Sequence, residues 1–145
     1  MSNIDKCIEG FDKGSCCSQV ILLTFAPYFG LDEKTAHKLG AGLGAGFGRK
    51  QYLCGAVSAG ALVLSLKYGN EEGKDFKIKE ETYTQVRDFI NWFEKEMGSS
   101  SCHELLGIEI LTEEGRKKGR EFGLFNTTCK DCIRKVAEYL EKEID

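Results

Sequence analysis

The stretch from Leu53 to Leu66 limits the fold of this chain more than any other feature. It is mostly apolar and carries no charged side chain before Lys67. A helix crossing a bilayer needs about 20 apolar residues, and this run is shorter. A helix that is apolar on every side must be surrounded by protein. The run therefore predicts a buried core helix, about Leu53 to Tyr68, ended by Gly69-Asn70.

The flanking segments predict the helices that would surround it. Ile4 to Asp12 reads as a first helix, broken by Gly14-Ser15. Ser15 can cap a second, Cys16 to about Phe29, with Pro27 near its end and Gly30 as a stop signal. Asp32 can cap a third, Glu33 to about Leu43. Gly40 to Gly48 holds five glycines in nine residues. Each weakens a helix by about 1 kcal/mol relative to Ala, so this segment reads as a frayed helix end passing into a loop. Val86, Phe89, Ile90 and Phe93 mark the buried face of a long amphipathic helix, about Ile78 to Met97. A short turn follows at Cys102 to Leu106. Thr112 opens a helix that ends at Gly123. The last helix, about Cys129 to Glu143, carries the stripe Ile133, Val136, Ala137 and Leu140. Ile108-Glu109-Ile110 alternates but is too short to carry a sheet. The expectation is an all-α, single-domain bundle of about six to seven helices over residues 1–145, with cysteines at helix N-termini. A chain of this length can bury roughly 68–70% of its unfolded surface.

Charge excludes some partners. The formal net charge is -3, and the Arg116-Lys117-Lys118 run reads as a solvated helix face rather than a nucleic-acid site. The polar start, Met1 to Lys6, lacks the apolar stretch of a secretion signal, so a cytoplasmic location without a membrane span is expected. Two copies could pair as a homodimer.

Cysteine is the anomaly. There are seven: Cys7, Cys16, Cys17, Cys54, Cys102, Cys129 and Cys132. In a reducing compartment several cysteines suggest metal binding or redox chemistry rather than a disulfide scaffold. Their positions say more than their number. Cys16 and Cys17 follow the cap candidate Ser15. Cys102 follows Ser101 in a Ser-Cys-His-Glu capping box. Cys129 follows Thr128 with similar spacing to Asp131. Cys54 begins the apolar helix. A helix N-terminus carries about half a positive charge and free N–H donors. It can favour the thiolate, which attacks disulfides and binds metals. Four such ends meeting at one point would make a site for an anionic cluster or a reactive thiol group.

Cys54-Gly55-Ala56, followed by Val57-Ser58-Ala59-Gly60, resembles the signature of the C-GCAxxG-C-C family of redox-active proteins. The likeness covers nearly the whole chain, including the glycine-rich stretch before Cys54. Cys17 in Cys17-Ser18-Gln19, Cys54, Cys102 in Cys102-His103-Glu104-Leu105-Leu106-Gly107, and Cys129 after Gly123-Leu124-Phe125-Asn126 look like its four signature cysteines. The family pattern leads one to expect glycine at Ala59, whereas here glycine comes one residue later, at Gly60. Cys7, Cys16 and Cys132 are extras. The resemblance implies a redox role. Through the family's likeness to a domain of split-Soret cytochromes, it also implies an iron–sulfur cluster, of two-iron, two-sulfide type, on Cys17, Cys54, Cys102 and Cys129.

Other readings compete. The same four cysteines could act as cofactor-free redox thiols, or hold a structural zinc ion, although structural zinc usually takes its ligands in two close pairs. Cys129 and Cys132 form Cys-x-x-Cys, which suits a dithiol switch or two metal ligands, with core filling as the plainer role for Cys132. A thioredoxin-like unit would need a strand that is absent here. Neighbours on a helix point about 100° apart, so Cys16 and Cys17 are not expected to face one centre, and Cys17 is preferred on the resemblance. There is no Cys-x-x-Cys-His, so no covalent haem is expected. The glycine-rich segment lacks the Gly-Lys-Ser/Thr ending of a phosphate loop. His103 and His37 read as exposed polar side chains. An unidentified redox partner completes the expectation.

Overall fold

The computed structural model describes residues 1–144. Among these there are eight helices and no strand: α1 (Asn3–Asp12), α2 (Cys17–Phe25), α3 (Glu33–Gly40), α4 (Gly55–Tyr68), α5 (Phe76–Met97), α6 (Cys102–Leu106), α7 (Glu113–Glu121) and α8 (Thr128–Glu141). The chain is all-α. A 3₁₀ turn, Ala26–Phe29, and a single glycine-rich turn, Gly44–Phe47, complete it.

Side-chain caps set most helix starts. Ser2, Asp32, Asp75, Ser101 and Thr112 each accept a hydrogen bond from the amide three residues on. Each cap contributes about 1 kcal/mol. The Asp75 cap starts α5 at Phe76, two residues before the pattern predicts. The count exceeds six to seven because Cys102–Leu106 closes as a helix of its own, capped by Ser101 and ended by left-handed Gly107. Ser15 does not cap α2. Cys16 is its N-cap, and the Gln19 side chain returns to the Cys16 amide at 3.0 Å. The Ser15 hydroxyl instead meets His37 Nε2 at 2.8 Å, so His37 is half-buried rather than exposed. Pro27 ends the α-helical bonding of α2 at Phe25, and the chain continues as the 3₁₀ turn.

Helix α4 is the centre of the bundle. Gly55 through Gly60, Val63 and Leu64 are buried, and α2, α5 and α8 pack around it. The main core joins Ile21, Leu22 and Phe25 of α2 to Phe89 and Phe93 of α5 and to Ile133, Val136 and Leu140 of α8. Burying each such side chain stabilises the fold by about 1.5–3 kcal/mol. Gly60 permits close packing of α5 on this helix. A Cβ there would lie 2.6 Å from the Phe89 ring. A second, smaller apolar cluster of Cys102, Leu106 and Ile110 sits under Ala45, Leu124 and Phe125. No helix among the described residues is long and apolar enough to cross a membrane.

Candidate functional site

Four helices begin beside one another at the seam between the two apolar clusters. Cys17 is the first residue of α2, and Cys54 is the N-cap of α4. Cys102 is the first residue of α6, and Cys129 is the second residue of α8. A backbone bridge between Leu53 and Ser101 fixes two of these starts side by side. The Cys54 amide donates to the Ser100 carbonyl at 2.8 Å, and the Cys102 amide donates to the Tyr52 carbonyl at 2.7 Å.

These starts surround a cavity of about 220 Å³. Cys17, Cys54, Cys102 and Cys129 all border it, and so do Cys16 and Cys132. Leu105, Leu106, Ile110 and Phe125 make much of the remaining wall. Cys16 and Cys17 can share one chamber because Cys16 precedes the helix, in extended backbone at φ -78, ψ 169. The rule for helical neighbours therefore does not apply to this pair. The Cys16 sulfur is 3.2 Å from the Ser18 hydroxyl and 3.7 Å from the Gly40 carbonyl. Two glycines make room for sulfur. A Cβ on Gly55 would stand 2.6 Å from Cys17 Sγ, and one on Gly44 would stand 2.9 Å from Cys16 Sγ.

All seven cysteines are free thiols. Their protonation is not what helix starts alone would give. Burial pushes Cys102 and Cys129 up to about 12, reinforced by the nearby Cys54 charge. Burial also raises Cys17 well above its usual value, with Cys54, Cys16 and Cys129 adding repulsion. Cys132 is raised because its thiol is the hydrogen-bond donor to Cys54. Cys54 alone is lowered, first by that bond and then by the amides of Val57 and Ala56 at the start of α4. Desolvation in an apolar pocket outweighs the helix dipole at three of the four starts, because removing a charge from water costs more than one helix end returns. Negative sulfur is therefore favoured at Cys54 over Cys17, Cys102, Cys129 and Cys132. Among the described residues, no three His, Cys, Asp or Glu groups are arranged to hold one metal ion.

The loop from Gly44 to Gln51 closes one side of the chamber in an unusual conformation. Ala45, Gly46, Phe47, Gly48 and Arg49 are consecutively left-handed, at φ 54, 66, 69, 60 and 70, and Gln51 follows at 57. A left-handed non-glycine residue costs roughly 1–2 kcal/mol, and four are present. Hydrogen bonds compensate. The Gln51 and Tyr52 amides return to the Ala45 and Gly46 carbonyls at 3.1 and 3.0 Å. The buried Gln51 side chain donates to the Ile108 carbonyl and accepts from the Ile110 amide, both at 2.8 Å. That clamp explains the Ile108-Glu109-Ile110 segment, which pairs with a side chain and not with a strand. Strain of this kind persists only where the surroundings enforce it, and it gathers at functional sites.

The sequence pattern gave no reason to include Gln51 or the bordering Arg49 in a site, and it favoured Cys17 over Cys16. Cys132 was reachable, since one helical turn separates it from Cys129, but core filling was the plainer expectation. His103 is exposed, and Cys7 is buried elsewhere, its thiol 3.6 Å from the Val20 carbonyl.

No curated protein and no solved structure matches the chain. One family profile does, over residues 15–143, described as "Putative redox-active protein (C_GCAxxG_C_C)". The match takes in every cysteine that borders the chamber and leaves out α1. With nearly the whole chain aligned to that profile, this protein belongs to the C_GCAxxG_C_C family of redox-active proteins.

Proposed function

We propose that the protein transfers electrons through an iron–sulfur cluster of two-iron, two-sulfide type, held in the chamber by Cys17, Cys54, Cys102 and Cys129. One observation supports this most directly. Thiols from four helix starts border a single cavity of about 220 Å³. Donors spread around a space larger than one ion suit a polynuclear group, and four thiolates are the common ligand set for one. Structural zinc usually takes its ligands in two close pairs, a spacing these four cysteines lack.

When bound, such a cluster accepts or releases one electron at a time. The chain's own residues do the rest. The amides of Ala56 and Val57 favour negative sulfur at Cys54. Leu105, Leu106, Ile110 and Phe125 keep water from the wall. The protonated thiols of Cys17, Cys102 and Cys129 must each lose a proton to become ligands, so loading releases protons and is favoured by rising pH. The test is anaerobic reconstitution with iron and sulfide, followed by metal analysis and visible spectroscopy. About two iron and two sulfide per chain are expected, with a spectrum that bleaches on reduction and is lost in C54S and C102S. A colourless, iron-free chain would overturn the reading.

A second reading rests on the Cys54–Cys132 pair. The Cys54 thiolate would attack a small disulfide, breaking its S–S bond and releasing one thiol. Cys132 would then lose its proton and displace the second thiol, leaving a Cys54–Cys132 disulfide. The substrate gains two electrons and the pair loses two. Alkylation of Cys54 ahead of every other cysteine near neutral pH is expected here, as is a Cys54–Cys132 disulfide after oxidation. Uniformly slow alkylation would contradict it.

A further inference from the structure

We infer that the surface loop Phe47–Tyr52 docks an acidic, electron-carrying protein. The inference relies on the redox role proposed above only for the partner's class. Residues 34–70 contain no Asp or Glu, although the chain has 23 of them and a net charge of -3. Within that stretch, the loop exposes two cations and two aromatic rings together. Phe47 is 43% exposed and Tyr52 61%. Arg49 and Lys50 are exposed, and among the described residues neither has a salt-bridge partner. Lys50 Nζ lies 5.5 Å from the Tyr52 ring centre.

The left-handed backbone presents these four side chains from a fixed frame, so little ordering cost is added on binding. Aromatic residues and arginine are the side chains that interfaces favour, and a cationic patch speeds encounter with an anionic partner. The position matters as much as the chemistry. Arg49 borders the chamber, and the Tyr52 carbonyl accepts the Cys102 amide at 2.7 Å. A protein seated on the loop would bring its own redox centre to the wall that carries Cys54 and Cys102. A membrane surface or a nucleic acid would need a broader cationic array than two side chains flanked by rings.

The test uses the full chain, ¹⁵N-labelled, titrated with a gallium-substituted plant-type ferredoxin as an acidic, redox-inactive probe. Chemical-shift changes are expected to centre on Phe47–Tyr52 and to vanish at high salt. The double variant R49E/K50E is expected to weaken binding by about tenfold or more. The control K77E/K79E, with the same charge change on the N-terminal part of α5, should stay within about twofold. Absent binding, shifts centred elsewhere or equal weakening by the control would overturn the proposal. So would tighter binding of phosphatidylglycerol vesicles or single-stranded DNA to the same loop. The probe exchanges no electrons, so docking is read whether or not the chamber takes iron, and iron content is read whether or not the probe docks.

Discussion

The two ends of α4 are built on opposite terms. At Gly60, Val63 and Leu64 the helix is buried in the main core with Phe89, Phe93, Val136 and Leu140, and no titratable group is among them. At Cys54 it opens onto six thiols, a left-handed loop with four strained non-glycine residues, and amides turned toward sulfur. One end supplies the stability that the other consumes. A small protein can hold a reactive, strained pocket only if the rest of its core is well packed, because net stability is a small difference between large terms.

Substitutions can test that division. Phe89→Ala should have the largest effect, a loss of about 3–5 kcal/mol in urea unfolding, because it empties the space that Gly60 leaves for the ring. Cys129→Ser, at the other end, should change stability by about 1 kcal/mol or less while removing redox activity. Equal destabilisation by the two would break the comparison. The loop gives a finer contrast. Gly46 and Gly48 are both left-handed, but only at Gly46 would a Cβ collide with backbone, 2.5 Å from the Tyr52 nitrogen. Gly46→Ala should therefore cost about 3 kcal/mol, and Gly48→Ala only the left-handed penalty of about 1 kcal/mol. Thermal unfolding of the two variants side by side checks this.

The smallest effect per residue is on pH dependence. Cys102 and Cys129 are raised from 9.0 to about 12 in the fold. Between those values the unfolded chain loses protons that the folded chain keeps, so stability is full below about pH 9 and falls as pH rises toward 12. Cys54 is lowered and acts in the opposite sense, adding stability above its unfolded value that is lost as pH falls through its folded one. By pH 9.5 each raised thiol, Cys7, Cys17 and Cys132 included, should cost about 0.8 kcal/mol, offset in part by Cys54. Denaturant unfolding at pH 7.5 and 9.5 should show a smaller difference in Cys102→Ala and a larger one in Cys54→Ala.

Local rules reach some of this molecule and not the rest. Caps and apolar stripes announced α3, α5, α6 and α8 to within a few residues, because those signals lie in neighbouring side chains. The buried place of α4 followed from its lack of any charged face. The left-handed run was hidden. Five glycines signal freedom, but Ala45, Phe47, Arg49 and Gln51 are forced there by hydrogen bonds to carbonyls several residues away and by the Gln51 clamp on Ile108–Ile110. Thiol protonation was misjudged for the same reason. Helix position is local, whereas the desolvation that raises Cys17, Cys102 and Cys129 depends on what the whole fold packs over them.

The gathering of distant thiols can be tested most directly by bridging them. The folded protein is treated with dibromobimane, which joins only sulfurs close in space, and the cross-linked peptides are identified by mass spectrometry. The structure predicts bridges between different helices, led by Cys54–Cys132 and Cys17–Cys54, with Cys7 unbridged. Single-site adducts alone, or bridges confined to neighbours in sequence, would contradict it.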